Sequence, residues 1–151
     1  MMRLALQAAQ QALQEGEVPV GAVVTQGRQV LSVAYNLREQ QSDPTAHAEM
    51  VALRKAAQEL QRWRLQDCWL WVTLEPCPMC ATAVRLAQME GLFYGAQDPR
   101  IGGCGGWIDV IHETALGPIP QVRGGLLAEE AASVLQLFFA QLRTQQARRD
   151  G

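Results

Sequence analysis

The sequence has 151 residues and a mass of 16.6 kDa, with 48% hydrophobic and 19% charged residues, as is typical of one folded domain that buries its own core. The net charge of −2 and the pI near 5.7 exclude nucleic-acid binding through bulk positive charge, so any such contact must come from a local patch. No run approaches the roughly 18 apolar residues that cross a membrane, and four cysteines in a chain of this length do not indicate a disulfide scaffold.

The chain alternates between helical and strand patterns. Helices are indicated by apolar residues at a period of 3.6, and strands by short runs rich in branched and aromatic residues. The predicted elements, in chain order, are a helix over 2–14, a hairpin with strands over 18–24 and 29–35, a helix from Asp43-Pro44-Thr45 to about residue 60, a strand over 68–74, a helix over 78–89, a strand over 91–96 and a helix over 126–149. This order predicts a single three-layer α/β domain over residues 1–151, with a mixed sheet and a C-terminal "ARRDG" that frays.

The N-terminal helix pattern bears on the location of the protein. The stretch "MMRLALQAAQQALQ" is interrupted by glutamines and lacks the continuous apolar core of a signal peptide. We therefore expect a cytoplasmic protein.

Two short stretches, "PTAHAEM" and "LEPCPMC", carry residues that bind metals. Cys77 and Cys80 are three residues apart at the start of a predicted helix, so they share one face, and the positive helix end favours their thiolate forms. We expect His47 in the first turn of its own helix, where a neutral imidazole would be a third ligand. Two cysteines and one histidine suit Zn²⁺ better than cations that prefer oxygen.

The number of ligands separates a catalytic zinc from a structural one. Three protein ligands leave the fourth position of a zinc site to water. Residues two apart on a helix do not share a face, so Glu49 would not ligate beside His47 and could instead take a proton from that water. Alternatively, the site is structural and closed by a fourth ligand, or Glu49 is a solvated helix residue. The candidates for a fourth ligand are Cys68, Cys104 and His112.

The spacing of these residues resembles a known family. "HAE" at 47–49 followed by "PCPMC" at 76–80 resembles the H-x-E and P-C-x-x-C signature of zinc-dependent nucleoside and nucleobase deaminases. Further stretches resemble the TadA-type tRNA-specific adenosine deaminases. They are "EVPVGAVV" at 17–24, "YN" at 35–36, "DPTAHAEM" at 43–50, "VTLEPCPMCATA" at 72–83, "YGAQDPR" at 94–100 and "GGLLAEEAASVLQLFFAQLR" at 124–143.

The resemblance implies a fold, a reaction and partners. The fold would be the three-layer α/β/α cytidine-deaminase-like fold with a mixed, about five-stranded central sheet. The reaction would be hydrolytic deamination of the wobble adenosine of a tRNA anticodon to inosine, by a hydroxide activated by one Zn²⁺ per subunit, with Glu49 as the catalytic proton carrier and His47, Cys77 and Cys80 as metal ligands. The partners would be a tRNA anticodon stem-loop and a second copy of the chain in a homodimer.

The resemblance also implies substrate contacts. Asn36 would hydrogen-bond the target nucleoside and the backbone near Ala48 would help to read the base edge. Asp98 and Arg100 would face the anticodon loop. The residues of the last helix near the flanking nucleotides would be Phe138, Phe139 and Arg143. The helical period alone puts Phe138 on the apolar stripe and Phe139 off it.

Two other functions use the same residues. A deaminase of a free nucleobase or nucleoside, such as guanine, cytosine or adenosine, would share the zinc site. The acidic pI favours it slightly, whereas the resemblance of the "EVPVG" hairpin and of the "GGLLAEE...LFF" stretch favours the tRNA branch. A non-catalytic zinc-stabilised binding module would not need the carboxylate of Glu49. The remaining residues are expected to be bystanders: Cys68 in the core, Cys104 in a mobile loop, His112 in a structural or surface role, and Trp63, Trp69, Trp71 and Trp107 in packing.

Overall fold

The computed structural model describes all residues from 1 to 151 as a five-stranded sheet with helices on both faces. The elements are α1 (Met2–Gln14), β1 (Gly21–Gln26), β2 (Gln29–Tyr35), α2 (Arg38–Gln41), α3 (Ala48–Leu60), β3 (Cys68–Leu74), α4 (Pro78–Leu86), β4 (Gly91–Ala96), β5 (Gln121–Arg123) and α5 (Ala128–Asp150), with a short 3₁₀ turn over Thr114–Leu116. None of the helices combines the length and the apolar character needed to cross a membrane.

The direction of the strands brings the site residues to one edge of the sheet. The strand order is β2-β1-β3-β4-β5; β1 runs antiparallel to both of its neighbours, and β3, β4 and β5 are parallel. Strands β2, β3 and β4 therefore end at the same edge. Because α3 and α4 begin beyond that edge, their N-terminal ends meet there.

The sheet separates two apolar cores. Alternate residues of β3 (Cys68, Leu70 and Val72) are fully buried in the larger core, which also contains residues of α3 and α4. On the other face, Trp69 and Trp71 stack on Phe93 with ring centroids 5.2 and 4.2 Å apart, and Trp71 and Phe93 pack against residues of α1 and α5. The three-layer α/β/α architecture and the core position of Cys68 are confirmed.

Several predicted boundaries were wrong for identifiable reasons. The helix expected from Asp43 begins at Ala48, because the Asp43 side chain accepts hydrogen bonds from the N–H and hydroxyl of Thr45 and closes a turn instead. The first strand begins at Gly21 rather than at 18, and α4 ends at Leu86 rather than at 89.

The structure adds elements that the sequence pattern did not predict. The short helix α2 and the three-residue strand β5 were both missed, and α5 continues to Asp150 where "ARRDG" was expected to fray. Two of the four tryptophans are not packing residues, since Trp63 and Trp107 are 58% and 59% exposed.

Candidate active site

Three side chains that can bind a metal converge at the common edge of β2, β3 and β4. His47 is the N-cap of α3 and Cys77 the N-cap of α4, while Cys80 is buried in the first turn of α4. The His47 Nδ1 atom lies 3.6 Å from Cys77 Sγ and 3.5 Å from Cys80 Sγ. The prediction that His47 lies within the first turn was wrong, because its extended backbone (φ −66°, ψ 152°) places it immediately before the helix.

The spacing of the three ligand atoms fits a tetrahedral zinc. Zinc bonds to nitrogen and sulfur of the usual lengths separate neighbouring ligands by about 3.4–3.8 Å in a tetrahedron, which matches the observed distances. The ligand atoms of His47, Cys77 and Cys80 lie within 4.8 Å of one another, and no fourth histidine, cysteine or carboxylate joins the group. The residues therefore fit one zinc ion and leave one position open.

The structural-zinc alternative is contradicted by the positions of its proposed fourth ligands. Cys68 begins β3, at the opposite end of the strand from the site. His112 is exposed and its Nδ1 pairs with Asp109 Oδ1 at 2.8 Å. Cys104 is buried near the site, but its sulfur is not in the group of ligand atoms formed by His47, Cys77 and Cys80. The loop of Cys104, which was expected to be mobile, is anchored by hydrogen bonds to Glu75.

The charges at the three ligands favour a cation. Hydrogen bonds from Cys80 and His47 lower the pKa of the Cys77 thiol to about 4, against the opposing effect of burial. The hydrogen bond to Cys77 and burial raise the pKa of the Cys80 thiol above its ordinary value. Because cysteine binds metals as a thiolate, His47, Cys77 and Cys80 would hold a zinc ion with both sulfurs deprotonated.

Glu49 lies in the first turn of α3, beside the ligands rather than among them. It is only 4% exposed, so the alternative of a solvated helix residue is wrong. Burial raises the pKa of its carboxyl group, although a backbone hydrogen bond and His47 oppose the shift. A raised pKa suits a group that takes up and releases a proton near neutral pH.

A small cleft of about 110 Å³ joins Glu49 to the predicted substrate residues. Its lining residues are Val18, Val20, Asn36, Arg38, His47, Glu49, Leu74, Glu75, Cys77, Asp98 and Ile101. Sequence reasoning identified Asn36 and Asp98 but missed Arg38 and Glu75. The position of Glu75 immediately before "PC" was the only available signal for it, and nothing in the sequence distinguished Arg38.

Asn36 connects the end of β2 to the start of α3. Its Oδ1 accepts a hydrogen bond from the backbone N–H of Ala48 at 2.7 Å, which leaves the Nδ2 group of the amide for the cleft. Ala48 is fully buried and its N–H is already engaged. A base contact in this region therefore has to use backbone groups other than the Ala48 N–H.

The remaining predicted contacts lie around a second groove of about 470 Å³. Its lining residues are Arg100, Leu135, Gln136, Phe139, Leu142, Arg143 and Gln146. Phe139 is 39% exposed, whereas Phe138 is 8% exposed and packs edge-on against Phe139 with ring centroids 5.3 Å apart. Phe138 therefore supports Phe139 from the core, and its predicted position near the flanking nucleotides stays a prediction.

Comparison with known proteins identifies the family. The profile of the cytidine and deoxycytidylate deaminase zinc-binding region matches residues 1–96. The tRNA-specific adenosine deaminase of Bacillus subtilis is 42% identical over 143 residues, which cover 94% of this chain and 88% of that protein. The chain belongs to the tRNA-specific adenosine deaminases of this superfamily. Zinc, one ion per subunit, is accordingly the cofactor of this deaminase.

Solved structures agree with the assignment. A structure from a study of A-to-I editing by tRNA:A34 deaminases at the wobble position of transfer RNA is 39% identical, with a TM-score of 0.86 over 89% of this chain and 97% of that one. A guanine deaminase from Nitrosomonas europaea is 22% identical, with a TM-score of 0.80 over 92% of this chain and 82% of that one. The second likeness shows a shared fold only.

Proposed function

We propose that this deaminase converts the wobble adenosine of a tRNA anticodon to inosine by hydrolysis, with release of ammonia. The observation that carries the proposal is the buried carboxylate of Glu49 in the same cleft as a three-ligand metal site with one open position. A purely structural zinc requires neither feature. The relatives named above support adenosine in tRNA as the substrate.

The metal site, Glu49 and Asn36 each have a separate role in the reaction. Zinc, when bound, supplies Lewis-acid activation of water near neutral pH. The Glu49 carboxylate takes a proton from the attacking water and delivers it to N1 of the adenine ring as the water oxygen bonds to C6. Glu49 then takes the second proton from that oxygen and passes it to the amine, so that the C6–N bond breaks and ammonia leaves. The Asn36 amide holds the nucleoside at its free Nδ2 group, so that C6 of the base faces the water.

The groove beside the cleft supports an RNA substrate over a free base. The turn 98–101 lines both sites, since Asp98 and Ile101 face the cleft and Arg100 faces the groove. Arg100 and Arg143 offer positive charge to phosphates, and the exposed ring of Phe139 offers a stacking surface for a base. A base unstacked from an anticodon loop could therefore enter the cleft while its neighbours occupy the groove.

The second candidate is a deaminase of a free nucleobase or nucleoside. The net charge of −2 favours it, because the chain has few basic residues to attract RNA. Under this hypothesis, variants in the groove around Phe139 would not affect turnover.

The deciding experiment measures inosine formation in an anticodon stem-loop that carries a wobble adenosine, with free adenosine, guanine and cytosine assayed in parallel. We expect turnover of the stem-loop alone.

We expect Glu49→Gln to lower kcat by roughly 10²–10⁴-fold with zinc content unchanged, because the proton carrier is lost but the ligands remain. Glu59→Gln, at an exposed glutamate of the same helix, is the matched control. A Glu49→Gln enzyme at full rate would refute the catalytic role, and turnover of a free base alone would establish the second candidate.

We further infer a homodimer of single-domain subunits, each formed by residues 1–151, working in the cytoplasm. The outer surface of α3 and α4 supports the dimer, because it bears an almost entirely apolar groove of about 280 Å³ in which Trp63 and Leu86 are 58% and 60% exposed. A two-fold interface uses the same patch on both subunits. These helices also carry the metal ligands, so a second copy seated there lies beside the active site.

The dimer is tested by the mass of the zinc-loaded protein in solution. We expect Leu86→Asp to convert a dimer to a monomer, since a charge would be buried in the interface. Leu137→Asp, at a leucine of α5 that is 50% exposed, is the control that retains the dimer. A wild-type monomer at micromolar concentration would refute this inference.

A further inference from the structure

Glu75 is a buried carboxylate with an unusual set of partners. It follows β3 directly, two residues before Cys77, and is only 2% exposed. It takes part in none of the ion pairs of the structure. A buried carboxylate must be satisfied by strong donors, so its hydrogen bonds identify what it is built to hold.

All the backbone donors to Glu75 come from one loop. Its Oε2 accepts from the N–H of Asp98 at 2.7 Å, and its Oε1 accepts from the N–H groups of Cys104 and Gly106 at 3.1 and 2.8 Å. We call residues 98–106 the clamp loop. One side chain thus joins the two ends of the loop to the segment that bears a metal ligand.

The glycines of the clamp loop are explained by this contact. A Cβ atom at Gly102 or Gly106 would lie 2.2 Å from the Glu75 Oε2 atom, and one at Gly103 would lie 2.9 Å from the Pro78 nitrogen. The Gly103 N–H also donates to the Pro76 carbonyl at 2.7 Å. The loop backbone therefore wraps closely around residues 75–78, which side chains at these positions would prevent.

The clamp loop carries residues that face both substrate sites. The Asp98 N–H is held by Glu75, while the Asp98 Oδ1 atom accepts from the N–H groups of Arg100 and Ile101 at 3.0 and 3.3 Å. These bonds form a continuous path from Glu75 to the turn that lines the cleft with Asp98 and the groove with Arg100.

We propose that Glu75 is a positioning residue for substrate binding: by clamping the backbone of residues 98–106, it holds Asp98 and Arg100 where the RNA contacts them. The assignment of the contacted ligand as RNA rests on the function proposed above. The clamp itself is a property of the zinc-loaded protein alone. Glu75 acts through the loop and takes no part in the movement of protons.

Glu75→Gln tests the clamp with little change of shape. Glutamine offers one carbonyl oxygen, so its NH₂ group must face at least one backbone N–H, and one end of the loop is released. In the zinc-loaded, full-length variant we expect the amides of Asp98, Cys104 and Gly106 to exchange hydrogen at least about tenfold faster than in the wild type. We expect KM for the stem-loop to rise about tenfold while kcat changes by less than about threefold, with zinc content unchanged.

A matched control and a second variant separate this role from general destabilisation. Thr73→Val, at a buried residue of β3, removes the hydrogen bond from the Gly21 N–H to Thr73 Oγ1, which involves no residue of the clamp loop. It should leave both KM and the exchange of the loop amides unchanged. Gly106→Ala attacks the same contact from the loop, because its methyl group would meet the Glu75 carboxylate and the Asp98 carbonyl. It should reproduce the Glu75→Gln pattern and serves alone if Glu75→Gln does not fold.

The two kinds of failure are distinguishable. Unchanged exchange of the loop amides in the variants, or faster exchange with an unchanged KM, overturns the positioning role of Glu75. A wild-type protein that turns over a free base but not RNA overturns the proposed function, and the exchange measurements still decide whether Glu75 holds the loop.

Discussion

At the scale of single residues, Asn36 has two tasks that one substitution can separate. Its Oδ1 caps the first N–H of α3, and its Nδ2 is left for the substrate. Asn36→Asp keeps an acceptor for the Ala48 N–H at the positive end of the helix, so the helix cap is retained, while burial of the new charge in the cleft that holds Glu49 offsets any gain in stability. The donor to the nucleoside is lost, and we expect kcat/KM to fall by about 10²-fold or more.

Asn36→Ala is the comparison that makes the result specific. It removes both the cap and the donor, so we expect a free energy of unfolding lower by about 1 kcal/mol in addition to the loss of activity. The measurements are urea unfolding and steady-state kinetics of the zinc-loaded proteins. An active Asn36→Asp enzyme would show that the amide donor does not contact the substrate.

The residues of the active site were predictable to different degrees. His47, Glu49, Cys77 and Cys80 belong to a fixed spacing that the chemistry of zinc hydrolysis requires, so the sequence alone identified them. Glu75 was missed, because its partners are backbone groups more than twenty residues away and backbone groups leave no pattern in the sequence.

At the scale of elements, α5 combines structural support and a proposed RNA contact in two adjacent rings. Phe138 is buried and Phe139 is 39% exposed beside Arg100 and Arg143. Phe138→Ala should lower the free energy of unfolding by about 3 kcal/mol, through lost burial and the cavity left behind. Phe139→Ala should lower the free energy of unfolding by less, about 0.5–1.5 kcal/mol for the lost edge-on contact with Phe138, but weaken stem-loop binding by about 1–3 kcal/mol.

Paired measurements of urea unfolding and of stem-loop affinity check this contrast. Leu137→Ala, at an exposed leucine of the same helix, should affect neither quantity. If the loss of affinity in each of the Phe138 and Phe139 variants were simply proportional to its loss of stability, a stacking role for Phe139 would be contradicted.

Arg85 connects α4 to the segment before β5. Arg85 of α4 is 2% exposed and donates to the carbonyls of Ile111, Glu113 and Gly117 at 2.7–2.8 Å. Arg85→Met would leave three carbonyls without their charged donor, and we expect the free energy of unfolding to fall by about 3 kcal/mol. Arg85→Lys should recover little, because an ammonium group cannot span three carbonyls as a planar guanidinium does.

Calorimetric or urea unfolding of the zinc-loaded variants measures the effect. Arg148→Met, at an exposed arginine of α5, should leave stability unchanged. A stable Arg85→Lys protein would show that the charge matters more than the fork geometry.

The elements that the sequence failed to predict share a physical cause. The three-residue strand β5 exists only because it pairs with β4, and α2 is anchored by the buried Glu17, whose carboxylate accepts the Gln40 N–H at 2.9 Å. Both depend on partners distant in sequence, whereas α1, β3 and β4 carry their own apolar patterns and were predicted at nearly their observed bounds. The architecture was therefore predictable from local sequence patterns, whereas the loops that shape the site depend on tertiary contacts.

At the scale of the whole molecule, the charge is unusual for a protein proposed to bind RNA. The chain has 13 basic and 15 acidic residues. The basic side chains that line the cleft and the groove are three: Arg38, Arg100 and Arg143. Affinity must therefore come mainly from base contacts and stacking rather than from neutralised phosphates.

This distribution predicts a shallow dependence of RNA affinity on salt. Each phosphate contact to a single-stranded loop contributes about −0.7 to the slope of log affinity against log salt, so three arginines give a slope of about −2. Between 50 and 200 mM salt, the Kd of the catalytically inactive Glu49→Gln protein for the stem-loop should therefore rise by roughly 10–20-fold.

Arg143→Gln should reduce the slope of log affinity against log salt by about 0.7. Arg28→Gln should leave it unchanged, because Arg28 is exposed in the β1–β2 turn at the opposite edge of the sheet. A slope near zero would contradict phosphate contacts by these arginines, and a slope steeper than about −4 would require basic residues beyond them to reach the RNA.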